Sequence, residues 1–151
     1  MRIFLDTNVI MDYLASRGDE EATGKIFESI DSGENMGFLS IGSFYTVVYL
    51  TERFLKDKGL KNPKRLACLR EILSTLLDSL EIAGHTREDL LKSIADEQFK
   101  DLEDSCQLQA AQNSSCPYLI TTNKKDFRDS DTTAIEIVTP KEFVKAFLSN
   151  K

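Results

Sequence analysis

The sequence predicts an α/β fold in which a parallel sheet is covered on both faces by helices. Three observations lead there. Short apolar runs of strand length recur at 2–5, 36–40, 80–83, 118–120 and 135–138. The longer segments between them carry apolar residues at helical spacing, and strands alternating with helices imply right-handed crossovers that place helices over both faces. Finally, 151 residues with 41% hydrophobic and 29% charged side chains suffice for one well-buried core and are few for two. No repeat, low-complexity tract or linker interrupts the chain, so residues 1–151 read as a single domain.

The first strand, Arg2 to Leu5, stops abruptly at Asp6-Thr7-Asn8, residue types that favour strand ends and helix N-caps. A helix follows at once, with Val9, Ile10, Tyr13 and Leu14 at helical spacing, and Gly18 stops it. Ile26, Phe27 and Ile30 mark a second helix, closed by Ser32-Gly33. Met36 to Ser40 reads as the second strand, and Phe44 through Leu55 as a buried helix. Gly59 and Pro63 then punctuate the chain before another helix running to about Leu80. Leu80 to Ala83 is the third strand, Arg87 to Ala95 a short helix, and Asp101 to Gln112 a helix by its Leu102, Cys106, Leu108 and Ala110-Ala111 content. Tyr118 to Ile120 and Ile135 to Val138 are the last strands. Pro140, suited to a first helical position, opens a closing helix with Phe143, Val144 and Phe147 on one side.

Composition excludes several classes. No stretch approaches the roughly 18 consecutive apolar residues of a membrane span, and Met1 to Leu5 meets an aspartate too early for a signal peptide. A soluble, unexported protein of the cytoplasm is expected, with no membrane partner. Cys68, Cys106 and Cys116 are odd in number and widely spaced, which suits free thiols in a reducing compartment. A zinc site would need all three together with His85, the single histidine, and lacks the paired spacing such sites favour. His85, beside Gly84, reads as a loop residue. The net charge of −6 opposes a polyanionic partner on average, yet residues 51–70 hold seven bases (Arg53, Lys56, Lys58, Lys61, Lys64, Arg65, Arg70) against Glu52 and Asp57. Such a run is usually a solvated helix face; here it would also suit contact with a nucleic-acid backbone.

In an open parallel sheet the functional crevice lies beyond the carboxyl ends of the strands. Asp6 follows the first strand, while Thr121, Thr122, Asn123 and Asp126 follow the fourth, and Asp101 and Asp104 begin the helix leading into it. Each has a plain explanation. Asp6 or Thr7 could cap a helix, the acids of Asp101-Leu102-Glu103-Asp104 could complement a helix dipole, and Thr121 to Phe127 could be a surface turn. Recurrence of acids at one rim is what capping does not explain. Asp101 and Asp104 also lie about 60° apart around a helix, so both could address one cation.

The order of these segments resembles a PIN domain. The resemblance runs from Phe4-Leu5-Asp6-Thr7-Asn8-Val9-Ile10-Met11-Asp12, through Glu103-Asp104-Ser105 and Thr121-Thr122-Asn123-Lys124-Lys125-Asp126-Phe127, to Val138-Thr139-Pro140-Lys141-Glu142-Phe143. It implies a three-layer α/β/α sandwich around a mainly parallel sheet of about five strands. It also implies a magnesium- or manganese-dependent ribonuclease that hydrolyses RNA phosphodiester bonds, of the kind that serves as the toxin of a toxin–antitoxin pair. Asp6, Asp104 and Asp126 match the family's first, third and later acids as catalytic metal ligands, with Asn123 at a position where acid or amide occurs. The family's second acid should fall near Thr46, where no carboxylate stands; Glu52, six residues on, is turned about 240° away, and Asp101 is the better candidate to supply the charge. Toxin-like members dimerise and are blocked by an antitoxin protein, so a homodimer and an antitoxin are the implied partners besides RNA.

Magnesium takes oxygen ligands and keeps several waters, so two or three carboxylates suffice to hold it beside a phosphate. Asp6, Asp104 and Asp126 are the expected ligands of Mg²⁺ or Mn²⁺, supported by Asp101, Asn123, Thr7, Asn8 and Thr121, with Arg53, Lys56, Lys124 and Lys125 on the nucleic-acid backbone. Two other readings compete. A haloacid-dehalogenase-like phosphatase would want Asp-x-Asp, but the third residue is Asn8, and its lysine should precede the later acids, whereas Asp101 and Asp104 precede Lys124. A PIN-like RNA- or protein-binding module weakened in catalysis is favoured by Thr46.

Overall fold

The computed structural model describes residues 1–127 and 134–149. Five parallel strands, β1 (Arg2–Leu5), β2 (Met36–Ser40), β3 (Leu80–Ala83), β4 (Tyr118–Ile120) and β5 (Glu136–Val138), form one sheet in the order β3-β2-β1-β4-β5. Helices α1 (Thr7–Leu14), α2 (Glu20–Asp31), α3 (Ile41–Asp57) and α4 (Lys64–Ser79) connect the first three strands, α5 (Arg87–Ala95) and α6 (Leu102–Asn113) lead to β4, and α7 (Pro140–Phe143) continues into a wider π-type turn, Val144–Leu148. Among the described residues no helix is long and apolar enough to cross a membrane.

Alternation along the strands makes the two-sided core. Ile3, Leu5, Leu39 and Ile120 join a cluster with Val9, Ile26, Val47, Leu76 and Phe143, so α1 to α4 and α7 cover one face. Phe4, Phe38 and Leu119 point the other way, into a cluster with Leu108, Ala110 and Ala111 of α6 and with Phe99, Phe127 and Ile135. This is the α/β/α sandwich, and period-2 side-chain alternation is its cause. Packing is close enough that a side chain at Gly37 of β2 would collide with Leu80 and Ile30, its Cβ only 2.5 and 2.7 Å from their methyls. A larger residue there would require the Leu80 and Ile30 side-chain ends to shift.

One expectation needs correction. The buried helix from Phe44 to Leu55 is longer and covered on one side only. It begins at Ile41 because Ser40 caps it, its hydroxyl accepting the Ser43 amide at 2.9 Å. Ser43, Val47, Thr51 and Leu55 form its buried stripe at four-residue spacing, while Tyr45 and Tyr49 remain 68% and 64% exposed. The expectation of a buried helix therefore overstated how much of it the sheet covers.

Candidate active site

The strand order changes direction between β1 and β4: β2 and β3 extend the sheet to one side of β1, whereas β4 and β5 extend it to the other. Such a switch point opens a crevice where the two connections leave on opposite faces. Pairing of Leu5 with Ile120 sets Asp6 beside Thr121, and the Asp6 amide donates to the Ile120 carbonyl at 3.0 Å. Sequence reasoning and register therefore agree on Asp6, at the centre of the rim.

Asp6 is buried, and its carboxylate is tied down by three donors. Oδ1 accepts from the Thr7 amide at 2.8 Å and from Gln107 Nε2 at 3.2 Å, and Oδ2 accepts from the Thr121 hydroxyl at 2.8 Å. Burial pushes its pKa up from 3.8; those hydrogen bonds pull it back, and the nearby Asp126 charge adds to the rise. Gln107 was missed by sequence reasoning. It is 2% exposed, and besides Asp6 its amide nitrogen reaches Ser43 Oγ and, at 3.4 Å, Thr7 Oγ1, while its carbonyl accepts from Ser40 at 2.6 Å. A signal existed, since Gln107 lies three residues after Asp104, about 60° away on the same side of the helix.

Beside this buried cluster lies an open cleft of about 310 Å³, lined by Gln98, Lys100, Asp101, Asp104, Lys125 and Asp126. Asp104 is half-buried there and finds no hydrogen-bond donor among the described residues. Its own burial and then the charges of Asp101, Asp6, Asp126 and Glu103 push its pKa from 3.8 up to about 7. Glu103 is raised as well, by burial, Asp101 and Asp6. Asp101 caps α6, accepting from the Glu103 amide at 2.8 Å, so the plain explanation of that residue holds even as its charge acts on Asp104. Asn123 donates through Nδ2 to Asp126 and through its backbone amide to Thr121 Oγ1 at 3.1 Å, which ties the β4 loop to the Asp6 cluster. Asn8 adds a contact from Oδ1 to the Thr122 amide at 3.4 Å.

A family model described as PIN domain matches residues 2–125. The chain belongs to the PIN domain family. It is similar to Ribonuclease VapC1 of Aquifex aeolicus (strain VF5), being 29% identical over 143 residues that make up 94% of this chain and 92% of that protein. Two solved structures share the fold. One is a toxin-antitoxin complex from Klebsiella pneumoniae (TM-score 0.63, 21% identity, 91% of this chain and 97% of that one). The other is VapBC2 from Rickettsia felis bound to a DNA fragment from their promoter (TM-score 0.62, 16% identity, 92% and 98%).

Thr46, where the resemblance led us to expect an acid, carries no carboxylate. Its hydroxyl turns back to the Gly42 carbonyl at 3.3 Å, and Glu52 faces Arg65 instead, at 3.7 Å. The bases divide. Lys125 lines the acidic cleft, Lys124 is paired with Glu142 at 2.9 Å, and Arg53 and Lys56 line a separate groove with Tyr49, Glu52, Asp57 and Arg65. Among the described residues no three His, Cys, Asp or Glu side chains form a ready-made group that could hold a metal ion. The donor set still fits a hard divalent cation in kind. It is all oxygen, magnesium asks for only one or two protein carboxylates besides water, and repulsion among Asp101, Asp104, Asp6 and Asp126 is what a cation would relieve.

Proposed function

We propose that this PIN domain is a Mg²⁺- or Mn²⁺-dependent ribonuclease that hydrolyses RNA phosphodiester bonds, acting as the toxin of a toxin–antitoxin pair. The observation that carries this reading is the crowding of carboxylates about Asp104, strong enough to hold its proton to about pH 7, in a cleft that also presents Lys125. Asp104, Asp126 and Asp6 would hold the cation, with Asp101 contributing charge. When bound, such a cation polarises the scissile phosphate, lowers the pKa of water and steadies the leaving oxygen.

The chain's own groups prepare that chemistry. Thr7, Thr121 and Gln107 fix the Asp6 carboxylate, and Asn123 orients Asp126. Lys125, which lines the cleft, would meet a backbone phosphate there, a contact that carries no base information and so leaves sequence preference to others. Lys124 would have to leave Glu142 first. Exposed apolar side chains on β3 and α5, Ile82, Leu90, Leu91 and Ile94, are available to a second copy, in keeping with a homodimer. Likeness to Ribonuclease VapC1 and to a toxin-antitoxin complex supports a ribonuclease and an antitoxin partner.

The purified chain should cut single-stranded or structured RNA with Mn²⁺, and lose that activity with EDTA or with Asp6→Asn. Undiminished cleavage by Asp6→Asn would place the chemistry elsewhere. Thr46, in place of the second acid, favours one other reading, a PIN-like module that binds RNA or protein without cutting. Calorimetric titration separates the two, because a binding module would take up no Mn²⁺ at millimolar concentration.

A further inference from the structure

We propose that Gln107 is a positioning residue whose amide fixes the Asp6 carboxylate for metal binding, an inference that rests on the nuclease reading above. The side chain spans three elements at the carboxyl edge of the sheet. From α6 it reaches the end of β2 at Ser40, α3 at Ser43, and the β1–α1 junction at Asp6 and Thr7.

The orientation of the amide is determined by its neighbours. Ser40 Oγ already accepts the Ser43 amide (2.9 Å), so its hydrogen is free for Gln107 Oε1 (2.6 Å). An ionised carboxylate can only accept, so Nε2 must be the end that faces Asp6 Oδ1 (3.2 Å). Thr7 Oγ1 and Ser43 Oγ, 2.7 Å apart, bracket the same nitrogen. A buried amide with both ends committed cannot turn without stranding a donor, so it holds the carboxylate plane.

Packing alone does not require this residue. Helix α6 meets the core through Leu108, Ala110 and Ala111, while Gln107 points to the rim, one turn from Asp104. A glutamate of the same shape would set a second carboxylate against Asp6, and a methionine of similar volume would leave one donor fewer. Only the amide supplies both a donor to Asp6 and an acceptor for Ser40.

The test compares wild type with Gln107→Met and Ser40→Ala, each checked for folding by circular dichroism. Mn²⁺ alone is the probe in calorimetric titration, and initial rates are measured on single-stranded RNA. Gln107→Met should weaken Mn²⁺ binding and lower kcat by about 10–100-fold, with KM for RNA unchanged within about twofold. Ser40→Ala, which frees the far end of the amide and also removes the α3 N-cap, should lower the melting temperature and show the same Mn²⁺ and kcat pattern at several-fold. Wild-type Mn²⁺ affinity and kcat in folded Gln107→Met, even with a lowered melting temperature, would overturn the proposal. If that variant does not fold, the same criteria applied to Ser40→Ala decide. A wild-type chain that takes up no Mn²⁺ overturns the nuclease reading and this inference together, whereas an active wild type matched by its variants overturns this inference alone.

Discussion

Asp6 and Asp104 sit at the same rim and feel each other's charge, but the protein treats them in opposite ways. Asp6 is buried and receives three hydrogen bonds, so the fold itself carries much of the cost of its charge. Asp104 is more exposed, receives no hydrogen bond among the described residues, and faces four other acids. The difference teaches a contrast in how charge is handled: one carboxylate is fixed by hydrogen bonds of the fold, and the other is left among acids, its charge relieved by a proton or, on the nuclease reading, by a cation.

Paired neutralisation tests that contrast most strongly. Asp6→Asn and Asp104→Asn should each reduce Mn²⁺-dependent RNA cleavage on the order of 100-fold or more, since each would remove a ligand charge. Stability should separate them. Asp104→Asn relieves repulsion and should raise the melting temperature. Asp6→Asn cannot be accommodated in either orientation. One places the amide nitrogen against Thr121, whose hydroxyl hydrogen then loses its acceptor; the other sets it against the Thr7 amide and Gln107. A buried donor is stranded each way, costing about 1–3 kcal/mol. Equal stability changes in the two variants, measured by thermal denaturation, would erase the distinction.

A smaller effect follows from pH. The folded chain holds Asp104 protonated to about pH 7, whereas the unfolded chain releases that proton near 3.8, so between these values the folded state binds more protons. The contribution of Asp104 to the stability of the metal-free protein is therefore fully present below pH 3.8 and is lost as pH rises through 7. Discounted for solvent screening at a half-exposed group, the loss is about 1 kcal/mol, or roughly 2–4 °C in Tm. Saturating Mn²⁺, which requires the ionised form, should reverse the slope. Scanning calorimetry of wild type and Asp104→Asn at several pH values, with and without Mn²⁺, isolates this contribution from the opposing ones of Asp89 and Glu142; a Tm difference between the two proteins that does not change toward neutral pH would mean the acids are not crowded.

The strands were legible because a sheet buried on both faces writes itself as short apolar runs, and Asp6 because a charge directly after such a run interrupts it. Asp104 and Asp126 were legible as rim residues from their places at the start of α6 and after β4. What periodicity could not show was where polar side chains end up once helices pack. Gln107 drew no notice in the sequence and is buried at the rim; Lys124 looked like a phosphate contact and is paired with Glu142. Both partnerships link residues distant in sequence, which local pattern does not encode. The extent of α3 was missed for a simpler reason: its N-cap, Ser40, is also the last residue of β2.

The most specific expected effect is that of restoring an acid at position 46. Thr46 lies one turn beyond Ser43 on nearly the same side of α3, and helical side chains lean toward the N-terminus, which here is the rim. The carboxylate of Thr46→Glu would therefore be directed toward the end of the sheet where Asp6 and Gln107 lie. Without metal it adds to the repulsion that already holds a proton on Asp104 and should lower Tm slightly. With Mn²⁺ it should tighten binding by up to about tenfold, about 1.4 kcal/mol. An affinity unchanged by Thr46→Glu, with Asp104→Asn still abolishing binding, would place the ion in the Asp101–Asp104–Asp126 cleft, out of reach of α3. Asp6 would then act through the field it exerts on Asp104 and not as a ligand.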